Sequence, residues 1–214
     1  MAFRTLNISE LEPIPVVEGT LLWHPLRHAL GVTGFGVNAY TAPAAGHDVV
    51  EEHTEASGPD AGHQELYVVM TGRARFTIDG EALEAPAGTC VFLPDPQSRR
   101  HAVAVEDGTT VLAVGGEPGK PFEVNAWEWN FRARPHLDAG EWEQAAAIIA
   151  DGLEARPGDG SLLYNLACCE ARLGRLDAAN AHLQAALASE PRVRQWAAGD
   201  ADLDELRERP DFPL

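Results

Sequence analysis

The chain has 214 residues, enough for one large domain or two small ones, and 16 basic against 33 acidic residues give it a net charge of −17. Such an acidic protein repels a phosphate backbone, so we expect no nucleic-acid partner. No apolar run approaches the roughly 18 residues of a membrane-spanning helix, and the N-terminal residues do not resemble a signal peptide. Three cysteines form no disulfide framework, so the sequence predicts a cytoplasmic protein with no membrane partner.

Short runs rich in Val, Phe, Tyr and Thr, separated by Gly, Pro and Asp, fill the sequence up to about residue 125. Asp79-Gly80 lies between two of them and is typical of a tight hairpin turn, because both central residues of that turn need positive φ. Many short strands with turns between them predict a sandwich or a barrel. The predicted strands are Gly34–Tyr40, Leu66–Met70, Ala74–Ile78, Cys90–Leu93, Ala102–Val105 and Thr110–Val114.

Two spaced motifs accompany these strands. Glu65 is followed after six residues by Gly72, and Gly88 is followed after five residues by Pro94, with 15 residues between the motifs. In these positions the chain resembles the cupins over roughly residues 15–125. The resemblance implies a jelly-roll β-barrel with a small-molecule ligand inside. In metal cupins, two His and one Glu of the first motif and one His of the second hold a divalent metal.

The first motif departs from the cupin pattern at its histidines. His53 stands near the position of the first metal-ligating His, with one extra residue of spacing, and Glu55 stands where the second His belongs. The segment between Glu55 and Glu65 is longer than in the cupin pattern, and it supplies His63. His63 and Glu65 are two residues apart, so their side chains point the same way on a strand.

The second motif departs from the pattern as well. Arg99 occupies the expected His position, and His101 follows two residues later. Arg100 and His101 have opposite strand parity, so only one of them can point inward. A cation beside a divalent metal costs Coulomb energy, and a metal-free barrel would instead pair an arginine with Glu65 and take a carboxylate ligand.

Two interpretations of the pocket therefore stay open. In the first, one divalent transition metal (Fe, Mn, Ni or Zn) is held by His53, His63, Glu65 and His101, with Glu55 as a weaker candidate. In the second, the barrel has no metal. The predicted ligand-binding residues are Glu55, Tyr67, Arg99 and Arg100.

From about Asp138 the composition shifts to Ala, Leu, Glu and Arg, and a repeat of 34 residues appears. This period is typical of tetratricopeptide repeats, which are helical hairpins. Gly160–Pro191 is the complete copy, whereas Pro135 interrupts the first helix of the copy before it. The matching pairs are Gly140 with Gly174, Ala145 with Ala179, Leu153 with Leu187, and Pro157 with Pro191.

The predicted architecture is thus a cupin jelly-roll β-barrel over residues 1–125 and a small all-α, tetratricopeptide-like region over residues 126–214. The linker between them is predicted at Gly115–Pro121. Fewer than about three repeats do not usually stand alone, so we expect the helical tail to lean on the barrel or on a second subunit. The predicted contacts are Trp127, Trp129 and Trp142.

The function predicted from these features is small-molecule binding in the barrel, with the helical tail as an interaction element. A protein partner or a second copy of the chain would dock on the barrel or the tail. The alternative is a metal-dependent cupin enzyme, an oxygenase or isomerase acting on a small organic substrate, in which Glu65 or His63 positions the metal or moves protons. The sequence identifies no catalytic residue beyond these candidates.

Overall fold

The computed structural model describes residues 3–57 and 61–214, and the chain divides into two compact units at Glu123 and Val124. The first unit is built from strands and includes one short helix, α1 (Leu26–Leu30). Its strands are β1 (Ile14–Val16), β2 (Leu21–His24), β3 (Gly36–Ala42), β4 (Asp48–His53), β5 (Gln64–Thr71), β6 (Arg73–Ile78), β7 (Glu81–Pro86), β8 (Cys90–Leu93), β9 (Arg100–Ala104) and β10 (Thr109–Gly116).

These strands form two antiparallel sheets. The six-stranded sheet has the order β1-β2-β3-β10-β5-β8, and the four-stranded sheet has the order β4-β9-β6-β7. The chain changes sheet at most connections between β3 and β10, so the inward side chains of both sheets share one apolar core. That core contains Val49, Tyr67, Val69, Phe76, Val91, Ala102 and Val111.

The predicted strands are confirmed, since each of the six apolar runs overlaps an observed strand. The predicted hairpin is also confirmed: Asp79 and Gly80 have φ of 50° and 87° and join β6 to β7. Strands β1, β2 and β4 were not predicted from the sequence, and β4 carries exposed charges, among them Glu51 and Glu52. Gly115, predicted to begin the linker, instead lies in β10.

The second unit consists of helices. Its main elements are α2 (Ala126–Asp138), α3 (Trp142–Ala155), α4 (Gly160–Arg172), α5 (Leu176–Ser189), α6 (Val193–Ala197) and α7 (Asp204–Arg207). Helix α2 continues through Pro135, so the expected interruption is wrong. Pro135 has no N–H to donate to the carbonyl oxygen of Phe131, so the helix continues through it with one backbone hydrogen bond fewer. No helix in the described part of the chain is long and apolar enough to cross a membrane.

Helices α2 to α5 form two hairpins that pack through small residues. A Cβ atom at Gly152 of α3 would lie 2.8 Å from Cγ of Trp129 of α2, closer than carbon atoms approach. Glycine here lets the indole lie against the backbone of α3. Trp129 thus packs with Ile149 and Leu162 in the core of the helical unit itself. The predicted contact of the tail with the barrel or a second subunit stays a prediction.

Candidate functional site

Five polar side chains converge between the two sheets of the first unit, and we call them the inter-sheet cluster: His53, Glu55, Glu65, Tyr67 and Arg100. Glu65 and Tyr67 lie two residues apart on β5 and so share the inward face of the six-stranded sheet. His53 ends β4, and its neighbour in the adjacent strand β9 is Arg100. Glu55 follows β4, where its backbone N–H donates to the carbonyl oxygen of Pro96 at 2.9 Å.

The carboxylate of Glu65 is the centre of the cluster. Its Oε2 atom accepts a 2.5 Å hydrogen bond from the hydroxyl of Tyr67 and lies 3.3 Å from Nε of Arg100. His53 Nε2 lies 3.6 Å from the same oxygen and 3.3 Å from Oε1 of Glu55. Nδ1 of His53 is 2.7 Å from the carbonyl oxygen of Glu51 and donates to it, which fixes the ring.

Burial and the neighbouring charged groups shift the pKa values of His53 and Glu65 in opposite directions. Burial by itself lowers the pKa of His53, but the hydrogen bonds to Glu55 and Glu65 raise that pKa to about 10. Burial raises the pKa of Glu65, yet the hydrogen bonds from His53 and Tyr67 and the charge of Arg100 hold the pKa below its ordinary value. At neutral pH the cluster therefore contains an imidazolium and an ionised Glu65.

Arg100 is the most deeply buried member. Its side chain is 0% exposed, whereas that of His53 is 36% exposed. Within the described part of the chain, Nε, Nη1 and Nη2 of Arg100 have no hydrogen-bond partner. A buried donor without an acceptor costs about 1–3 kcal/mol, and more when it is charged. The guanidinium thus has unused donor capacity beside Glu65.

Among residues 3–57 and 61–214, the group that offers ligand atoms to a metal ion is His53, Glu55 and Glu65, whose candidate atoms lie within 4.8 Å of one another. One imidazole and two carboxylates suit Fe, Mn or Zn. A metal bonded to Glu65 at ~2 Å would nevertheless lie within about 5 Å of the Arg100 charge. At an effective dielectric constant of about 20, that repulsion is roughly 7 kcal/mol before the carboxylates are counted. The ligand atoms of this group are of a type that suits a metal ion, but the positive charge of Arg100 would repel the ion.

Three other candidates from the sequence lie elsewhere. His101 points to the opposite face of β9 from Arg100, and its Nε2 lies 2.8 Å from Oδ1 of Asp48. The ring of His63 lies 5.9 Å from that of Phe122. Arg99 is exposed and pairs with Glu52. The structure thus brings together His53, Glu55, Glu65, Tyr67 and Arg100, and it places His63, Arg99 and His101 outside the cluster.

Gly115 is a site residue that the sequence analysis missed. It pairs with Glu65 across the ladder between β10 and β5. A Cβ atom on Gly115 would lie 3.4 Å from Cγ of Glu65, an ordinary van der Waals contact, so Gly115 lies directly beside that side chain. Glycine inside a strand is the sequence signal, because it weakens the strand and often marks a close approach.

Part of the helical unit matches a known family model. Residues 136–203 match the family model described as tetratricopeptide repeat. The match includes α3 to α6 and agrees with the 34-residue period of the sequence. A comparison with curated protein sequences gives no match.

Solved structures similar to the chain include proteins described as cupins. A cupin protein from Bacteroides fragilis is 21% identical, with a TM-score of 0.42, covering 58% of this chain and 92% of that one. A sugar phosphate isomerase of the cupin superfamily from Silicibacter pomeroyi is 20% identical, with a TM-score of 0.45, and the match covers 53% of this chain and 76% of that one. A predicted oxalate decarboxylase from Thermotoga maritima is 18% identical, with a TM-score of 0.43, and the match covers 52% of this chain and 97% of that one. All three TM-scores lie below 0.5.

Proposed function

We propose that the first unit is a cupin-type jelly-roll barrel that binds a small organic ligand at the inter-sheet cluster. The observation that carries the proposal is Arg100, a fully buried guanidinium with three nitrogens that lack a hydrogen-bond partner in the described part of the chain. Buried charges in proteins are ordinarily paired and hydrogen-bonded. A ligand oxygen beside Glu65 would supply the acceptors that Arg100 lacks.

The side of the cluster that faces solvent supports the same function. His53 is the most exposed member, and Glu65 is 15% exposed. Polar groups converging in a mostly apolar interior are typical of small-molecule sites. The apolar walls come from both sheets and include Val69 and Leu93 of the six-stranded sheet and Phe76 of the four-stranded sheet. A ligand would therefore enter past His53 and bury its apolar part against these side chains.

The helical unit would serve as an interaction element. Tetratricopeptide repeats stack helical hairpins into surfaces that bind other proteins or copies of the same chain. We propose a protein partner or a homodimer for this unit, and a cytoplasmic location for the whole chain, whose cysteines include an exposed free thiol at Cys90.

A metal-dependent enzyme is the second candidate, and the observation that favours it is the His53, Glu55 and Glu65 group. A metal held there would act as a Lewis acid or activate oxygen. The imidazole of His53 and the carboxylates of Glu55 and Glu65 would hold and position it. The charge of Arg100 is the argument against this candidate.

A ligand screen with elemental analysis tests the proposed function. Purified protein is melted in the presence of small organic acids, sugars and amino acids, and its metal content is measured in parallel. We expect one chemical class to raise the melting temperature in parent protein and not in the Glu65→Gln variant. The matched control is Glu84→Gln, which removes an exposed carboxylate paired with Arg75. A screen without any stabilising compound would contradict ligand binding.

A further inference from the structure

We propose that Arg100 is the resident cation of the inter-sheet cluster, so that the site excludes divalent metal ions and takes an organic carboxylate. This inference rests on the proposed function, because it names the ligand class of the same site. It also assigns a role to Arg100 that the metal-ligand pattern of the sequence does not contain.

The position of Arg100 makes its charge permanent within the cluster. Strand β9 lies inside the four-stranded sheet, and Arg100 is paired with His53 of β4 on one side and Ile78 of β6 on the other. With both neighbours in place, the side chain has no exposed surface in the folded protein.

Arg100 and Tyr67 both lie close to Oε2 of Glu65, the oxygen to which a metal ion would bind. The hydroxyl of Tyr67 donates to Oε2 of Glu65, and Nε of Arg100 lies 3.3 Å from the same atom. A metal ion bound to this oxygen would displace the tyrosine hydroxyl and would face the guanidinium charge at close range. Glu65 is thus already neutralised by the protein.

The remaining donors of Arg100 define the ligand. Nη1 and Nη2 lack acceptors in the described part of the chain, and two parallel N–H groups match a carboxylate better than any neutral group. Glu55 and Glu65 would repel a doubly charged phosphate more strongly than a singly charged carboxylate. The ligand enters at His53 and reaches Arg100 by displacing the imidazole from Glu65.

The test compares parent protein with Arg100→Gln and with the matched control Arg99→Gln, since Arg99 is the exposed neighbour. After dialysis against chelator, each protein is titrated calorimetrically with Mn²⁺ and Zn²⁺ and melted with acetate or with neutral acetamide. We expect no saturable metal binding by parent or Arg99→Gln, and an affinity at least about ten-fold higher in Arg100→Gln. Acetate, but not acetamide, should stabilise parent and Arg99→Gln, and Arg100→Gln should lose this response.

The outcomes separate this inference from the proposed function. Stoichiometric metal in parent protein, lost in Glu65→Gln, would overturn the inference, as would equal stabilisation by acetate and acetamide. A folded Arg100→Gln without increased metal affinity would overturn it too. Arg100→Met serves as a second neutral variant, and if neither variant folds, the titrations of parent protein decide. A parent that responds to neutral ligands alone would keep the proposed function and refute the inference.

Discussion

Oε2 of Glu65 is the atom on which the largest number of cluster contacts depend, and this makes Glu65→Gln the most informative single substitution. The change removes the charge opposite Arg100 and leaves a buried cation without compensation. Breaking a buried pair in this way typically costs about 3–5 kcal/mol. We expect a loss of that size in the free energy of unfolding, measured by urea denaturation at pH 7. Glu84→Gln, at an exposed pair, should change it by less than about 1 kcal/mol.

Because of His53, the free energy of unfolding should decrease as the pH rises into the alkaline range. Its pKa is about 10 in the folded protein against an ordinary 6.5, so protonation favours the folded state. This contribution is fully present below pH 6.5 and is lost as the pH rises through 10. Between pH 6 and pH 10.5, the denaturation midpoint of parent protein should therefore fall more than that of His53→Gln. Parallel curves for the two proteins would show that Glu55 and Glu65 do not hold the proton.

The three cysteines should differ sharply in reactivity. Cys90 is exposed, whereas Cys168 and Cys169 are buried. Burial raises the pKa of both buried thiols, to about 12 for Cys169, so neither forms much thiolate at pH 8. We expect one fast-reacting thiol per native chain with a disulfide reagent, and none in Cys90→Ser. In denaturant, parent protein should show three reactive thiols and Cys90→Ser should show two. Two fast-reacting thiols in native Cys90→Ser would contradict the burial of Cys168 and Cys169.

At the scale of elements, period and turn chemistry explain what the sequence predicts well. Val- and Phe-rich runs, the Asp79-Gly80 turn and the 34-residue repeat depend on neighbours in the chain, and all three reappear as strands, a hairpin and helical hairpins. Strand β4 was missed because its outward face is charged. The closed barrel stays a proposal, since the described strands form two sheets.

The ligand positions were harder to predict because one residue of register reverses the face of a strand. Counting from Pro94 places Arg99 at the expected histidine position. The segment before β9 forms a turn, with the N–H of Ser98 donating to the carbonyl oxygen of Asp95, and the strand begins only at Arg100. Arg100 therefore points inward and His101 outward, a result that spacing alone does not give.

The packing of α2 on α3 predicts an unusual cost for Gly152→Ala. Alanine in place of glycine ordinarily stabilises a helix interior by about 1 kcal/mol. Here the new methyl group would meet Trp129 at 2.8 Å and force the hairpin apart, at a typical cost of about 1–3 kcal/mol. We expect a lower melting temperature for Gly152→Ala. The control is Asp151→Ala at the exposed neighbouring position, and a Gly152→Ala protein more stable than parent would contradict the close packing.

At the scale of the whole molecule, the open question is whether the helical unit folds without the first unit. Its two hairpins and the short helices α6 and α7 bury apolar residues among themselves, including Trp129, Ile149, Leu183 and Leu206. Repeat proteins gain most of their stability from stacking, and about three repeats are needed for independent folding. The unit has two hairpins in its main helices, so it lies below that number.

We therefore predict that residues 124–214 expressed alone have reduced helicity and a broad melting transition at a lower temperature than full-length protein. The measurements are far-UV circular dichroism and sedimentation, because a fragment that dimerises would gain the missing stacking surface and melt at a concentration-dependent temperature. The full chain is the control and should unfold in one sharp transition. A monomeric fragment with full helicity and a sharp transition would contradict the prediction. Because the apolar contacts of Trp129 lie within the helical unit, such a result would mean that the core around this indole is sufficient for folding.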